Sequence, residues 1–142
     1  MIRAVFDTNI LATAASARTG PLATLREWWT DGLVEIVTSS HILGELERTL
    51  TKPYFASRLD AETHERFLAI VRSAVMTAIT TPVPTVASSD DDNLVLATAE
   101  SAGVSYLVTG DAELLRLRRY NAVTIVSARE FVEMIQLDGS RS

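Results

Sequence analysis

The chain has no cysteine, so disulfide bridges, thiolate zinc sites and a cysteine nucleophile are all excluded, and an intracellular setting is expected. Long apolar runs are missing as well. Stretches such as "FLAIVRSAVMTAI" (67–79) are broken by charge well short of a membrane span. The opening "MIRAVFDTN" lacks the apolar core of a signal peptide, and Asp7 comes too early for one. The expectation is therefore a cytoplasmic protein with no membrane partner. Positive charge is scarce: 13 Lys and Arg stand against 18 Asp and Glu, for a net charge of −5 and a pI near 5.0. That balance argues against a general polyanion binder, because non-specific affinity for nucleic acid comes mostly from Lys and Arg neutralising phosphates. An acidic chain acts on nucleic acid only where metal ions or a local basic patch offset the repulsion. The dense basic stretch is "LLRLRRYN", with Arg116, Arg118 and Arg119. Its plain reading is a solvated helix face, and its functional reading is a contact to RNA phosphates. Histidine is rare too, and His41 and His64, far apart and both in helical segments, read as surface or packing residues rather than ligands.

What is present fits one globular domain. Of 142 residues, 47% are apolar and 22% charged, enough to close a single core over residues 1–136, with "LDGSRS" (137–142) expected as a disordered tail. Short β-branched runs at 2–6, 34–38, 75–79, 105–109 and 123–126 read as strands. Helical patterns lie between them at 21–32, 40–50, 61–73, 93–103 and 112–119, with a final helix at 127–136 opened by a capping box of Ser127 and Glu130. The two prolines of "PVPTVASS" (82–89) mark a loop. Alternation of this kind predicts a three-layer α/β/α fold with a five-stranded parallel sheet. In such sheets ligands bind beyond the carboxyl ends of the strands, where the strand order reverses.

Acids sit where that rule directs attention. Asp7 follows the first strand, Asp111 closes "VTGD" after the fourth, and Asp90, Asp91 and Asp92 precede the buried helix at 93–103. Each alone reads as a helix N-cap. Three in succession exceed what capping needs and add like-charge repulsion. A hard divalent cation, which prefers carboxylate oxygens, is the natural counterweight. A further acid is expected from the helix at 40–50, where Glu45 and Glu47 both flank the apolar stripe of Ile42, Leu43, Leu46 and Leu50. Periodicity does not choose between them, although a solvent-facing charge is the plain reading of Glu47.

Four fragments together resemble the PIN-domain family, in particular the toxin components of toxin–antitoxin systems. They are "AVFDTNIL" (4–11), "VTSSHILGELERTLTKPYF" (37–55), "DDNLVLATAESAGVSYLVTGDAELL" (91–115) and "TIVSAREFVEMI" (124–135). The resemblance implies a PIN-like sheet of strand order 3-2-1-4-5 and a Mg²⁺- or Mn²⁺-dependent ribonuclease hydrolysing RNA phosphodiester bonds. It matches Asp7, Glu45, Asp92 and Asp111 to the family's metal-site acids, Glu45 rather than Glu47 fitting the "Ser…Glu-Leu" pattern. Asn9 and Thr109 match supporting polar positions, with Asp91 beside the site. Relatives often carry "Asp-Pro-Asp-Asp-Asn" before the buried helix, where this chain has Ser89-Asp90-Asp91-Asp92-Asn93, so the missing proline leaves the role of Asp90 open. The implied partners are an RNA substrate and a cognate antitoxin.

Other readings compete. A haloacid-dehalogenase-like phosphatase needs an acid/base Asp where Asn9 stands, and a response-regulator receiver needs a lysine after the fifth strand, whereas Lys52 is the only lysine. The alternative from another class is a PIN-fold module that binds RNA or protein without nuclease turnover. Adjacent Trp28 and Trp29 cannot both point squarely into the core. Partial burial of both is the plain expectation, and a homodimer interface the functional one.

Overall fold

The computed structural model describes the backbone of residues 2–141 and the side chains of residues 2–137. Its centre is β1 (Ile2–Phe6), whose Ala4, Val5 and Phe6 are buried. On one side β1 pairs in parallel with β2 (Val34–Thr38), which pairs with the short β3 (Val75–Met76). On the other side it pairs in parallel with β4 (Tyr106–Val108). β5 (Arg119–Tyr120) and β6 (Val123–Val126) complete a sheet of order β3-β2-β1-β4-β6-β5. The strand order therefore reverses between β1 and β4, and in sheets of this kind the crevice that binds ligands lies there, beyond the carboxyl ends of the strands.

Between the strands run α1 (Thr8–Ser16), α2 (Gly20–Thr30), α3 (Ser40–Leu50), the single turn α4 (Pro53–Ala56), α5 (Ala61–Arg72), α6 (Asp90–Ala102) and α7 (Ala112–Leu117). Right-handed crossovers that travel first one way from β1 and then the other carry their helices to opposite faces of the sheet. The core fills both sides of β1 with residues such as Leu11, Leu46, Leu96 and Phe131, all fully buried. Phe6 meets Phe131 edge-on at 6.0 Å, a favoured aromatic arrangement. Trp28 and Trp29 both lie half-buried against this core, Trp29 edge-on to Phe67 at 6.2 Å.

The α/β class and the order of the five parallel strands agree with expectation, α1 and α4 are helices outside the expected set, and three further differences precede α8. First, the sheet is mixed and has six strands. α7 stops at Leu117, and Arg118 and Asn121 take left-handed backbone angles (φ 61° and 53°) that turn Arg119–Tyr120 back as an antiparallel edge on β6. The helix expected through residue 119 is thereby cut short. Second, β3 ends at Met76 instead of residue 79. The amides of Thr80 and Thr81 bond the Ser101 hydroxyl at 3.0 and 3.2 Å instead of a strand. Third, α6 begins at Asp90, with Ser89 as N-cap accepting from the Asp92 amide. The aspartate run is thus the helix's first turn and not its cap. α8 (Ala128–Arg141) opens on the capping box of Ser127 and Glu130 and continues past residue 136. The side chains from 138 onward, and Ser142, lie outside the described residues.

Candidate metal centre

Asp7, Asp92 and Asp111 are delivered to the crevice by the starts of helices, and Glu45 by the middle of one. Asp7 caps α1 and is 7% exposed. Its Oδ1 accepts the Thr8 amide at 2.7 Å, and its Oδ2 accepts the Thr109 hydroxyl at 2.8 Å. Thr109, fully buried, uses the same oxygen to accept the Asp111 amide at 3.0 Å. Asp111 caps α7 through Oδ2, which accepts the Leu114 amide at 2.9 Å. Asp92 stands in the first turn of α6. Behind it buried Asn93 clamps the preceding loop, its Oδ1 accepting the Ala87 amide and its Nδ2 donating to the Ala87 carbonyl, both at 3.0 Å. That clamp holds the loop before α6 in place.

Glu45 reaches the crevice from α3, while Glu47 turns away to pair with Arg72 at 3.2 Å. Two residues given no such weight in the sequence join the acids. His41, one helical turn before Glu45, places Nε2 2.8 Å from Glu45 Oε1 and 3.4 Å from Asp91 Oδ1. Glu113 lies with Asp92 and Asp111, their ligand atoms within 4.8 Å of one another. Glu113 also accepts the Ser88 amide and hydroxyl at 2.9 Å, which holds its carboxyl below the usual range. The signal for His41 was its four-residue spacing from Glu45. Glu113 carried none, because an acid in a first helical turn reads as a complement to the helix dipole.

The electrostatics match this crowding. Burial above all, and then the charges of Asp111, Asp7, Glu113 and Asp91, push the Asp92 carboxyl up to about 6. Burial raises Asp7 as well, against the hydrogen bonds from Thr109 and Thr8, with Asp111 and Asp91 adding to the rise. Glu45 is raised by burial and by Asp91, partly offset by His41. Charges that raise one another's pKa favour an added cation. The remaining expected residues lie at the margin. Asn9 is exposed in the first turn of α1, and Asp90 is exposed at the start of α6. Arg116, Arg118 and Arg119 are exposed but do not share one helix face, belonging in turn to α7, its C-cap and β5. Arg118 acts on Glu130, whose carboxyl is lowered chiefly by its bonds to Ser127.

The donor set fits a divalent cation. It is rich in carboxylate oxygen, with one imidazole, the donors that hard and borderline divalent ions accept. Glu45 Oε1 and His41 Nε2 are shielded from solvent and meet only each other, at 2.8 Å and without the alignment of a hydrogen bond, and the Thr8 hydroxyl has no partner. Buried polar atoms left without partners are costly, so an unfilled acceptor here points to a missing positive group. A cavity of about 380 Å³ lies elsewhere, lined by Arg18, Arg26 and Arg58 near the end of α1, and contains none of these acids. An open crevice of charged groups is a poor apolar pocket, so the chemistry and not the cavity size marks the site.

The family model described as PIN domain matches residues 3–113. Among solved structures, VapBC2 from Rickettsia felis, bound to a DNA fragment from its promoter, includes a similar chain at TM-score 0.60 and 17% identity, covering 87% of this chain and 97% of that one. PAE2754 from Pyrobaculum aerophilum is similar at TM-score 0.61 and 21% identity, covering 95% of this chain and 90% of that one. At such identities the likeness carries the fold. No curated protein matches the sequence.

Proposed function

This chain belongs to the PIN-domain family, and from that premise we propose that it is a Mg²⁺- or Mn²⁺-dependent endoribonuclease, the toxin of a toxin–antitoxin pair acting in the cytoplasm. The observation that carries the reading is the convergence of Asp7, Glu45, Asp92 and Asp111, three of them with raised pKa, at the point where strand order reverses. These four acids would hold the cation, with Asp91 and Glu113 beside them. When bound, it supplies the positive charge and Lewis acidity that hydrolysis of a phosphodiester needs. The chain's own groups prepare the place. Thr109 fixes the orientation of Asp7 and ties it to the Asp111 backbone. The clamp of Asn93 on Ala87 sets the start of α6 and so the aim of Asp92. Exposed Arg116, Arg118 and Arg119 are the candidates for contact to substrate RNA, and Asn9, in the first turn of α1, is the candidate for supporting the site by hydrogen bonds.

The toxin reading draws support from family membership and from likeness to a chain of the VapBC2 assembly along nearly its whole length. An antitoxin is the expected partner, covering the acidic crevice. The test compares RNA cleavage by wild type and Asp7→Asn, with Mn²⁺ and with chelator. Wild type should cleave only with metal, and the variant should lose about a hundredfold. Equal activity in the variant would remove the assignment. RNA binding without metal-dependent cleavage would instead select a binding module.

A further inference from the structure

We propose that His41 is a metal ligand, and that with Glu45 and Asp91 it forms a nitrogen-containing cation position favouring Mn²⁺ over Mg²⁺, beside the all-carboxylate group of Asp92, Asp111 and Glu113. The proposal rests on the reading of this crevice as a divalent-metal site and deepens it. His41 and Glu45 are four residues apart on α3, so their side chains rise from one face. Nε2 stands 2.8 Å from Glu45 Oε1 and 3.4 Å from Asp91 Oδ1. The closer pair lacks the alignment of a hydrogen bond, and both atoms are shielded from solvent without a partner.

An imidazole with its proton on Nδ1 presents a lone pair at Nε2. In that tautomer Nε2 and Glu45 Oε1 are two acceptors side by side, and a cation bound by both relieves their repulsion. Neighbouring ligands around an octahedral ion bonded at about 2.1 Å lie about 3.0 Å apart. The two separations from Nε2 bracket that distance, as expected of side chains converging on a shared ion. The second group, Asp92, Asp111 and Glu113, is built from oxygen alone. The chemistry of the two halves therefore differs. Imidazole binds first-row transition ions well, whereas Mg²⁺ prefers oxygen and keeps its waters.

The experiment uses the full chain stripped of metal, titrated calorimetrically with Mn²⁺ and with Mg²⁺, together with pulsed electron paramagnetic resonance of the Mn²⁺ form. His41→Gln and His41→Ala are measured alongside, each checked for folding by circular dichroism. Wild type should prefer Mn²⁺ and show nitrogen coupling to the bound ion. Both variants should lose that coupling and about tenfold or more of the Mn²⁺ affinity, while Mg²⁺ affinity stays within about twofold. Mn²⁺ binding by wild type without nitrogen coupling overturns the proposal and leaves a plain His41–Glu45 ion pair, as do variants that keep full Mn²⁺ affinity. Wild type that binds neither ion overturns the metal-site reading itself. The wild-type spectrum decides the ligand question even if a variant fails to fold.

Discussion

The hydroxyl of Thr109 links two acids that approach from different strands, donating to Asp7 and accepting from the Asp111 amide. Replacing it by valine keeps the shape and removes both bonds inside a fully buried site. Thr109→Val should therefore cost about 1–3 kcal/mol of stability and about ten- to a hundredfold in metal affinity, measured by urea unfolding and by Mn²⁺ titration. A variant with lowered stability and unchanged affinity would reduce Thr109 to a packing role. At this scale the sequence was readable where a residue's place follows from its own element. Asp7 and Asp111 end strands and cap helices, so their position at the carboxyl edge followed directly. Glu45 and Glu47 both flank the apolar stripe, but two residues apart on one helix they face different neighbours, Glu45 the charges of Asp91 and Asp7 and Glu47 that of Arg72. His41 and Glu113 were missed because their role depends on which helix starts meet across the crevice, a long-range fact that local pattern does not carry.

α6 is the element that turns an acidic run into a site. Its start is fixed by the Ser89 cap and the Asn93 clamp, and its end by Gly103 at φ 68°. These two ends permit a controlled comparison. Asn93→Ala leaves the amide and carbonyl of Ala87 without their partner, costing about 2–3 kcal/mol, and should weaken metal binding because the loop no longer sets the aim of Asp92. Gly103→Ala has open space for its Cβ, so its cost is the left-handed backbone alone, about 1–2 kcal/mol. It should leave metal affinity unchanged, since it lies at the far end. Denaturant unfolding and Mn²⁺ calorimetry on both variants check this, and equal losses of affinity would mean that general helix stability, not aim, governs the site. Most elements were legible from hydrophobic period and caps. The misplaced boundaries share a cause: at Asp90, Met76 and Leu117 the backbone is redirected by a side-chain cap, a serine hydroxyl and a left-handed residue, respectively. Such local hydrogen bonds and turns compete with the period that the sequence displays.

Across the whole molecule the acid-rich composition becomes a dependence of stability on pH and metal. Asp7, Glu45 and Asp92 all have folded pKa values above those of free carboxyls, that of Asp92 reaching about 6 against 3.8. Between those two values the folded chain binds more protons than the unfolded one, so stability falls as pH rises through the window. The metal-free protein should therefore be more stable near pH 5 than at pH 7. Carboxyls that are lowered in the fold, such as Glu113 and Glu130, act in the opposite sense at lower pH and bring the acid limb of unfolding. Asp92→Asn removes the group with the largest stated rise, so it should flatten the slope from pH 5 to 7 and melt above wild type at pH 7 without metal. Millimolar Mn²⁺ should reverse that ranking. A cation bound only by the folded state stabilises it by mass action, and it does so best where the acids are ionised, so metal-loaded wild type should melt higher at pH 7 than at pH 5 and above Asp92→Asn. Thermal unfolding at these two pH values, with Mn²⁺ and with chelator, reads all of these differences. A wild-type stability that does not fall with pH in chelator would show that the acids are not held together against their own repulsion, and one that still falls with Mn²⁺ would show that no cation binds among them.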